Sequence, residues 1–136
     1  MIIDIIQVQY PVLDHTESVA NIGITAQSVT VANGIKVADA FSNKNNSLFL
    51  VIENSTVDSD SEGVESAMTV KAGNAYPNSM LGDITIELPA GTSAIQVQDL
   101  SRFEQADGSL LLDFGESFEG SIYAVAKWAG VAPVVA

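Results

Sequence analysis

Cysteine is absent from this sequence of 136 residues, and histidine occurs once, as His15. Without cysteine the chain can form neither disulfides nor thiolate metal sites. A zinc site would have to combine His15 with carboxylates alone, which is an unusual ligand set. A Ser-His-Asp arrangement would also depend on His15, and no G-x-S-x-G nucleophile elbow accompanies it. We therefore interpret His15 as an exposed bystander.

Basic residues are scarce, since five Lys and Arg stand against seventeen Asp and Glu for a net charge of −12. They are scattered singly, so no basic stripe can neutralise phosphates, and we expect no nucleic-acid partner. The charge would also repel an anionic membrane, and no segment reaches the roughly 20 apolar residues of a membrane span. The apolar start lacks a basic n-region, so we expect synthesis in the cytoplasm without a standard export signal.

Motifs of catalysis are also missing. There is no P-loop, and no G-x-G-x-x-G follows a predicted strand. Paired carboxylates for glycoside hydrolysis stay an open alternative, because their separation in space cannot be read from sequence. Most acidic residues, however, fall at turns or on outward strand positions rather than in apolar surroundings. We expect no enzyme, no catalytic residues and no cofactor.

Apolar residues recur at every second position from Ser47 onward, which is the period of a half-buried β-strand. The clearest segment is GDITIELPAG, in which Ile84, Ile86 and Leu88 share one face. The segments SAMTVKAG, TSAIQVQDL and ADGSLLLDFG repeat the alternation, and the DG pair of the last one is a hairpin-turn signal. The segment SLFLVIEN is almost continuously apolar and predicts a central strand buried on both faces.

Helix signals are limited to a single turn in DLSRFEQ. Short strands separated by turns at roughly 10-residue intervals predict an all-β fold, either an antiparallel β-sandwich or a jelly roll. The length fits one domain. We therefore predict an extended N-terminal arm over residues 1–27, a β-sandwich domain over residues 28–129 and a C-terminal tail over residues 130–136.

The two ends of the chain are apolar but do not follow the alternating pattern. A monomer would gain little from loose apolar ends, so they indicate contacts with other subunits. Packing of both ends on their own domain is the alternative that this pattern leaves open. The candidate contact residues are Ile2, Ile3, Ile5, Ile6 and Tyr10 in the arm, and Val131, Val134 and Val135 in the tail.

The segment TVDSDSEGVESAMTV places carboxylates on alternate positions, as a calcium loop does. Asp58, Asp60 and Glu62 would be positions 1, 3 and 5 of an EF-hand, and Gly63 is correctly placed at position 6. Position 12 is Thr69, inside a predicted strand, where an EF-hand needs a bidentate Glu. Acidic turn tips are also common because turns favour Asp, Ser and Gly. We expect no metal here, with a looser calcium loop as the alternative.

The order of segments from Ala40 to about Trp128 resembles that of small virion proteins of tailed bacteriophages, namely head decoration (cement) proteins and related minor head components. An apolar strand ends in Asn, a variable polar loop follows, and then come T-V-x-x-G, G-D-x-T-x-x-x-P-A, an arginine-aromatic turn and D-G-x-L. The matching positions are Asn54, Gly73, Gly82-Asp83, Pro89-Ala90, Arg102-Phe103 and Asp107-Gly108.

This resemblance implies a β-sandwich on the outer surface of an icosahedral capsid, with the major capsid protein as partner and a homotrimer as the favoured oligomer. The expected function is structural: stabilising the shell by binding across capsomer seams, after synthesis in the host cytoplasm. A head-fibre base or tail component is one alternative. A calcium- or carbohydrate-binding module on the same kind of sandwich is another.

Overall fold

The computed structural model describes residues 3–9, 24–38, 40, 48–97 and 100–126. Its strands in chain order are β1 (Asp4–Gln9), β2 (Gln27–Ser28), β3 (Ile35–Ala38), β4 (Leu48–Asn54), β5 (Ser66–Val70), β6 (Ile84–Leu88), β7 (Gly91–Val97), β8 (Leu110–Phe114) and β9 (Gly120–Val125). A 3₁₀ helix spans Pro77–Leu81, and a single-turn helix, α1, spans Leu100–Phe103. The short helical turn predicted in DLSRFEQ is confirmed.

The strands follow one hydrogen-bonded order, β6-β5-β8-β3-β1-β9-β4-β7, with β2 paired to β9. Strand β1 joins the two halves of this order. Its residues 4–7 pair with β3, and Val8 and Gln9 pair with β9. Strands β6 and β7 lie at the two ends and are consecutive in the chain. The arrangement is barrel-like, and it confirms the predicted all-β, sandwich-like fold.

Strand β1 corrects the predicted N-terminal arm. Residues 4–9 are a strand inside the sheet, and Gln27 already belongs to β2, so neither lies apart from the sandwich. Both pairings of β1 are parallel, whereas the other pairings among the described strands are antiparallel. The remainder of the arm that lies between β1 and residue 24, and the predicted tail, lie outside the described residues.

The core follows the alternation read from the sequence. Leu110, Leu112 and Phe114 of β8 are buried on one face, and Met68 and Val70 of β5 pack in the same core. Along the end strand β6, which has no neighbouring strand at one long edge, burial increases from an exposed Ile84 to a buried Leu88. The alternation of apolar residues therefore predicts correctly which face of a strand points inward. It overestimates how deeply that face is buried on the end strand β6.

Strand β4 differs from its prediction. It is an interior strand, paired with β7 and β9, but its burial alternates rather than being complete on both faces. Leu48, Leu50 and Ile52 are buried, whereas Phe49 is 38% exposed. At β4 only one face of the sheet is packed in the core, so a continuous apolar run does not by itself indicate a strand covered on both faces.

Asn54, the polar residue that ends β4, is buried and holds three chain segments together. Its Nδ2 donates to the carbonyl oxygens of Val64 and Leu88 at 3.0 Å each and of Pro89 at 3.3 Å, while its Oδ1 accepts from the amide of Thr56. A buried amide must be satisfied in this way, because an unpaired one costs about 1–3 kcal/mol. Asn54 thus connects the end of β4 to the turn between β6 and β7.

The Asp107-Gly108 pair forms a turn, as predicted, but not a hairpin. Gly108 has a φ of 81°, and the turn leads from α1 into β8 rather than joining two paired strands. Asp107 accepts hydrogen bonds from the amide and hydroxyl of Ser109 and forms an ion pair with Lys36 at 2.7 Å. The ion pair with Lys36 and the Ser109 hydroxyl lower the pKa of Asp107 to about 2.

Candidate functional site

The structure separates the predicted arm contacts into two groups. Ile3 and Ile5 are 41% and 58% exposed, but Ile6 is buried in the core. Ile6 is therefore wrong as a contact residue. It lies on the inward face of β1 because side chains on a strand alternate between faces. The other candidates, Ile2, Tyr10, Val131, Val134 and Val135, lie outside the described residues.

The acidic loop (residues 58–65) is organised by its own first carboxylate. Oδ1 of Asp58 accepts hydrogen bonds from the amides of Asp60 at 2.8 Å and Glu62 at 3.1 Å. The Asp58 amide donates to the Glu62 carbonyl, and Ser61 takes a positive φ of 61° to close the turn. Asp58 therefore acts as a turn-forming residue, which is the usual role of Asp in such positions.

Nothing in the described part of the chain gathers three or more His, Cys, Asp or Glu side chains into a group that could hold a metal ion. Asp60 and Glu62 are exposed and do not converge with Asp58. The alternation of carboxylates in the sequence thus reflects the needs of a tight polar turn. The acidic loop offers a charged, solvated surface.

A groove of about 320 Å³ is lined by residues of β1, among them Ile5 and Gln9, by residues 25–27 and by Tyr123. The Gln9 side chain bridges it, because Nε2 donates to the Thr25 carbonyl at 2.8 Å and Oε1 accepts from the Thr25 amide at 3.0 Å. The side-chain amide of Gln9 thus makes the pair of hydrogen bonds with the Thr25 backbone that a neighbouring strand would make. These two hydrogen bonds hold residue 25 against the end of β1.

The most exposed apolar side chains form another surface, which we call the apolar tip (residues 76–82). Met80 is 90% exposed and Leu81 65%, and Tyr76 is also exposed. The stretch AYPNSMLG that contains the tip carries no charge, in a chain with a net charge of −12. An exposed group of large apolar side chains with polar surroundings is typical of a contact surface.

The tip is ordered by local hydrogen bonds. Pro77 begins the 3₁₀ helix, where its missing amide costs nothing. The hydroxyl and the amide of Ser79 both donate to the Tyr76 carbonyl, and the Gly82 amide donates to the Ser79 carbonyl. Gly82 has a φ of 83°, a conformation that favours glycine, and it turns the chain from the tip into β6.

Arg102 on α1 fastens the C-terminal side of the tip. Its Nε donates to the Gly82 carbonyl at 3.0 Å, and its Nη2 donates to the carbonyls of Leu81 at 3.3 Å and Asp83 at 3.4 Å. The guanidinium also lies 5.2 Å from the ring centroid of Phe103. A planar fork with several donors suits such a cluster of carbonyls better than a Lys ammonium would.

Asp83, directly after the tip, adds a second anchor. Its Oδ1 accepts from the Ala72 amide at 2.7 Å, and its Oδ2 forms an ion pair with Lys71 at 3.0 Å. The Ala72 amide and the Lys71 ammonium lower the pKa of Asp83, and the same ion pair raises the pKa of Lys71. These contacts fix the start of β6 against the end of β5.

The base of the tip is tied to the segment that follows α1. The amides of Asn74 and Ala75 donate to the Glu104 carbonyl, and the Asn74 side chain accepts from the Ala106 amide at 2.6 Å. Gly73 lies so close that a Cβ there would collide with the Glu104 carbonyl. Residues 73–75 can therefore pack against residues 102–106 only because position 73 is glycine.

These contacts present Tyr76, Met80 and Leu81 on a backbone that is already ordered. Binding by such a surface avoids the cost of ordering a loop at the interface. The sequence contained one signal for it, an uncharged stretch with Met and Leu between two alternating strands. Arg102 lies about twenty residues further along the chain. The sequence pattern around the tip therefore could not predict its hydrogen bonds to the tip.

No family model matches this chain, and neither a curated protein nor a solved structure matches it. Among the described residues, no helix has the length and apolar character needed to cross a membrane.

Proposed function

We propose that this protein is a structural virion protein that decorates the outer surface of a tailed-bacteriophage capsid. It stabilises the shell by binding the major capsid protein across capsomer seams. The observation that supports this proposal is the apolar tip, an uncharged and exposed segment whose backbone is ordered by Arg102 and by local hydrogen bonds. The order of sequence segments from Ala40 to about Trp128 supports the phage setting.

The contrast between the uncharged, apolar tip and the acidic remainder of the chain suits this role. Met80 and Leu81 extend from a chain with a net charge of −12. An apolar projection fits a cleft between two capsid subunits, where its burial is favourable by about 25 cal/mol for each Å² of apolar surface. The acidic remainder stays solvated on the particle and discourages sticking to nucleic acid. In a trimer on a threefold position, three tips would engage the shell at once and gain avidity.

Of the alternatives, the geometry argues only against the calcium-dependent module. A calcium-dependent module would need free carboxylates that converge, whereas Asp58 closes its own turn by accepting two backbone hydrogen bonds. A head-fibre base or tail component would use the same apolar tip on another part of the virion. Location in the particle therefore separates the leading proposal from its nearest rival.

Cryo-electron microscopy of particles of the encoding phage tests the proposal. The expected result is density for this fold on the outer shell, with residues 76–82 pointing into a seam between major capsid subunits. Density for the fold at the tail or at a fibre attachment point would favour the minor-component alternative. Particles whose proteins do not include this chain would refute a virion role.

A further inference from the structure

Asn33 and Gly34 form the single Asn-Gly pair of the sequence, at the turn that leads into β3. The Asn33 amide donates to the Thr30 carbonyl at 2.9 Å, and Gly34 has a φ of 70°. A Cβ at position 34 would lie 3.0 Å from Oδ1 of Asp113. The positive φ and this close approach make glycine the residue that the turn requires.

The side chain of Asn33 holds the start of β1. Its Nδ2 lies 3.3 Å from each of the two carboxylate oxygens of Asp4 and donates to them. The Asp4 amide approaches the Gly34 carbonyl at 3.4 Å, next to the first paired position, Asp4 with Ile35. An uncharged amide that faces a carboxylate therefore sits at the point where the parallel pairing of β1 and β3 begins.

We propose that Asn33 is a site of spontaneous deamidation and that the modified chain loses the hydrogen bonds from position 33 to Asp4 at the start of β1. The backbone nitrogen of Gly34 attacks Cγ of Asn33, gives its proton to solvent and forms a cyclic imide. The bond from Cγ to Nδ2 breaks, and the nitrogen leaves as ammonia after taking up one proton from water. Water then opens the ring to aspartate or isoaspartate at position 33, so one water is consumed for each ammonia released. Glycine favours this step because no side chain shields its nitrogen.

The product changes the contact with Asp4 from attraction to repulsion. A carboxylate at position 33 no longer donates a hydrogen bond, and it places a second negative charge next to Asp4. In the isoaspartate product the main chain also gains a carbon immediately before Gly34 and β3. Strand β1 joins the two halves of the sheet and brings Ile6 into the core, so its start would loosen as the protein ages. This inference does not depend on the proposed function.

Ageing the purified full chain in mildly alkaline buffer tests the proposal. Peptide mass spectrometry should show the conversion of NH₂ to OH at Asn33 faster than at any other asparagine. Labelling by an isoaspartate methyltransferase should appear in the same peptide. The melting temperature should fall by roughly 3 to 6 °C as conversion proceeds, which is the shift that a modest loss of stability gives in a domain of this size.

Two variants make the outcome decisive. Asn33→Asp should show the lower melting temperature from the start, and Asn33→Gln should not change further on ageing, because a longer amide forms the imide poorly. Should Asn33→Gln fail to fold, the time course of the natural chain still provides the test. An Asn33 that survives while other asparagines react, or a deamidated chain that melts like fresh protein, would overturn the proposal.

Discussion

Strand β1 and the apolar tip are both rich in large apolar residues, yet the fold uses them in opposite ways. Strand β1 has neighbours on both sides, and its Ile6 is buried. The tip has its backbone carbonyls bound by Arg102, and its Met80 points outward. The backbone of β1 is hydrogen-bonded to neighbouring strands, which places Ile6 in the core, whereas the backbone of the tip is hydrogen-bonded locally and to Arg102, which leaves its side chains in solvent. Apolar composition alone does not separate a core strand from a contact surface.

The largest effect on stability is expected from Ile6→Ala. Removing a buried side chain from β1 leaves a cavity at the join between the two halves of the sheet, and should lower the free energy of unfolding by about 3 kcal/mol. Urea denaturation of the purified protein measures it. Ile5→Ala, one position along on the exposed face, is the matched control and should stay within about 0.5 kcal/mol of the natural chain. Equal losses for the two variants would contradict the placement of β1.

Arg102→Met should have the next largest effect. It removes the donors to the carbonyls of Leu81, Gly82 and Asp83, and should cost about 2 kcal/mol, since hydrogen bonds from a charged group contribute about 1.5–3 kcal/mol. Hydrogen exchange of residues 76–83 should rise more than exchange in β8. Arg102→Lys keeps the charge without the planar fork, so it should recover only part of the loss. Full recovery by Lys would show that charge alone fastens the tip.

The contrast between these segments also explains what could be predicted from the sequence. Alternation identified β8 and β5 because each buries one face, as Leu110 and Met68 illustrate. It missed β1 because Ile2-Ile3 and Ile5-Ile6 are adjacent apolar pairs that obscure a period of two. Parallel pairing also joins β1 to strands far along the chain, which local pattern does not reveal. The hydrogen bonds of Arg102 to the tip could not be predicted for the same reason, since their acceptors lie about twenty residues away in the sequence.

Asp58→Ala should have a smaller and local effect. It removes the acceptor for the amides of Asp60 and Glu62, and should lower the free energy of unfolding by about 1 kcal/mol, as the loss of a capping side chain does elsewhere. Asp60→Ala, on the same loop, is the control and should have little effect. Adding calcium or a chelator should leave the melting temperature of the natural chain unchanged. A rise with calcium would contradict our interpretation of Asp58 as a turn residue.

The smallest effect concerns acid stability at Asp107. Its pKa is lowered to about 2 in the folded protein, so ionised Asp107 stabilises the fold fully above the ordinary value of about 3.9. This contribution is lost as the pH falls through the folded value. Because the side chain is half exposed, we expect less than about 1 kcal/mol. Lys36→Met should reduce stability at neutral pH and converge with the natural chain near pH 2; a constant difference across this range would exclude the ion pair as its cause.

Binding to capsids that lack this protein tests whether the apolar tip is the contact surface. The comparison uses the natural chain, the double variant Met80→Ser with Leu81→Ser, and a control double variant, Ile3→Ser with Ile5→Ser, at the start of β1. The tip variant should keep its melting temperature and bind roughly thirtyfold more weakly, corresponding to the loss of about 2 kcal/mol of a contact hot spot. The β1 variant should bind nearly as the natural chain does. Full binding by the tip variant would exclude the apolar tip as the contact surface.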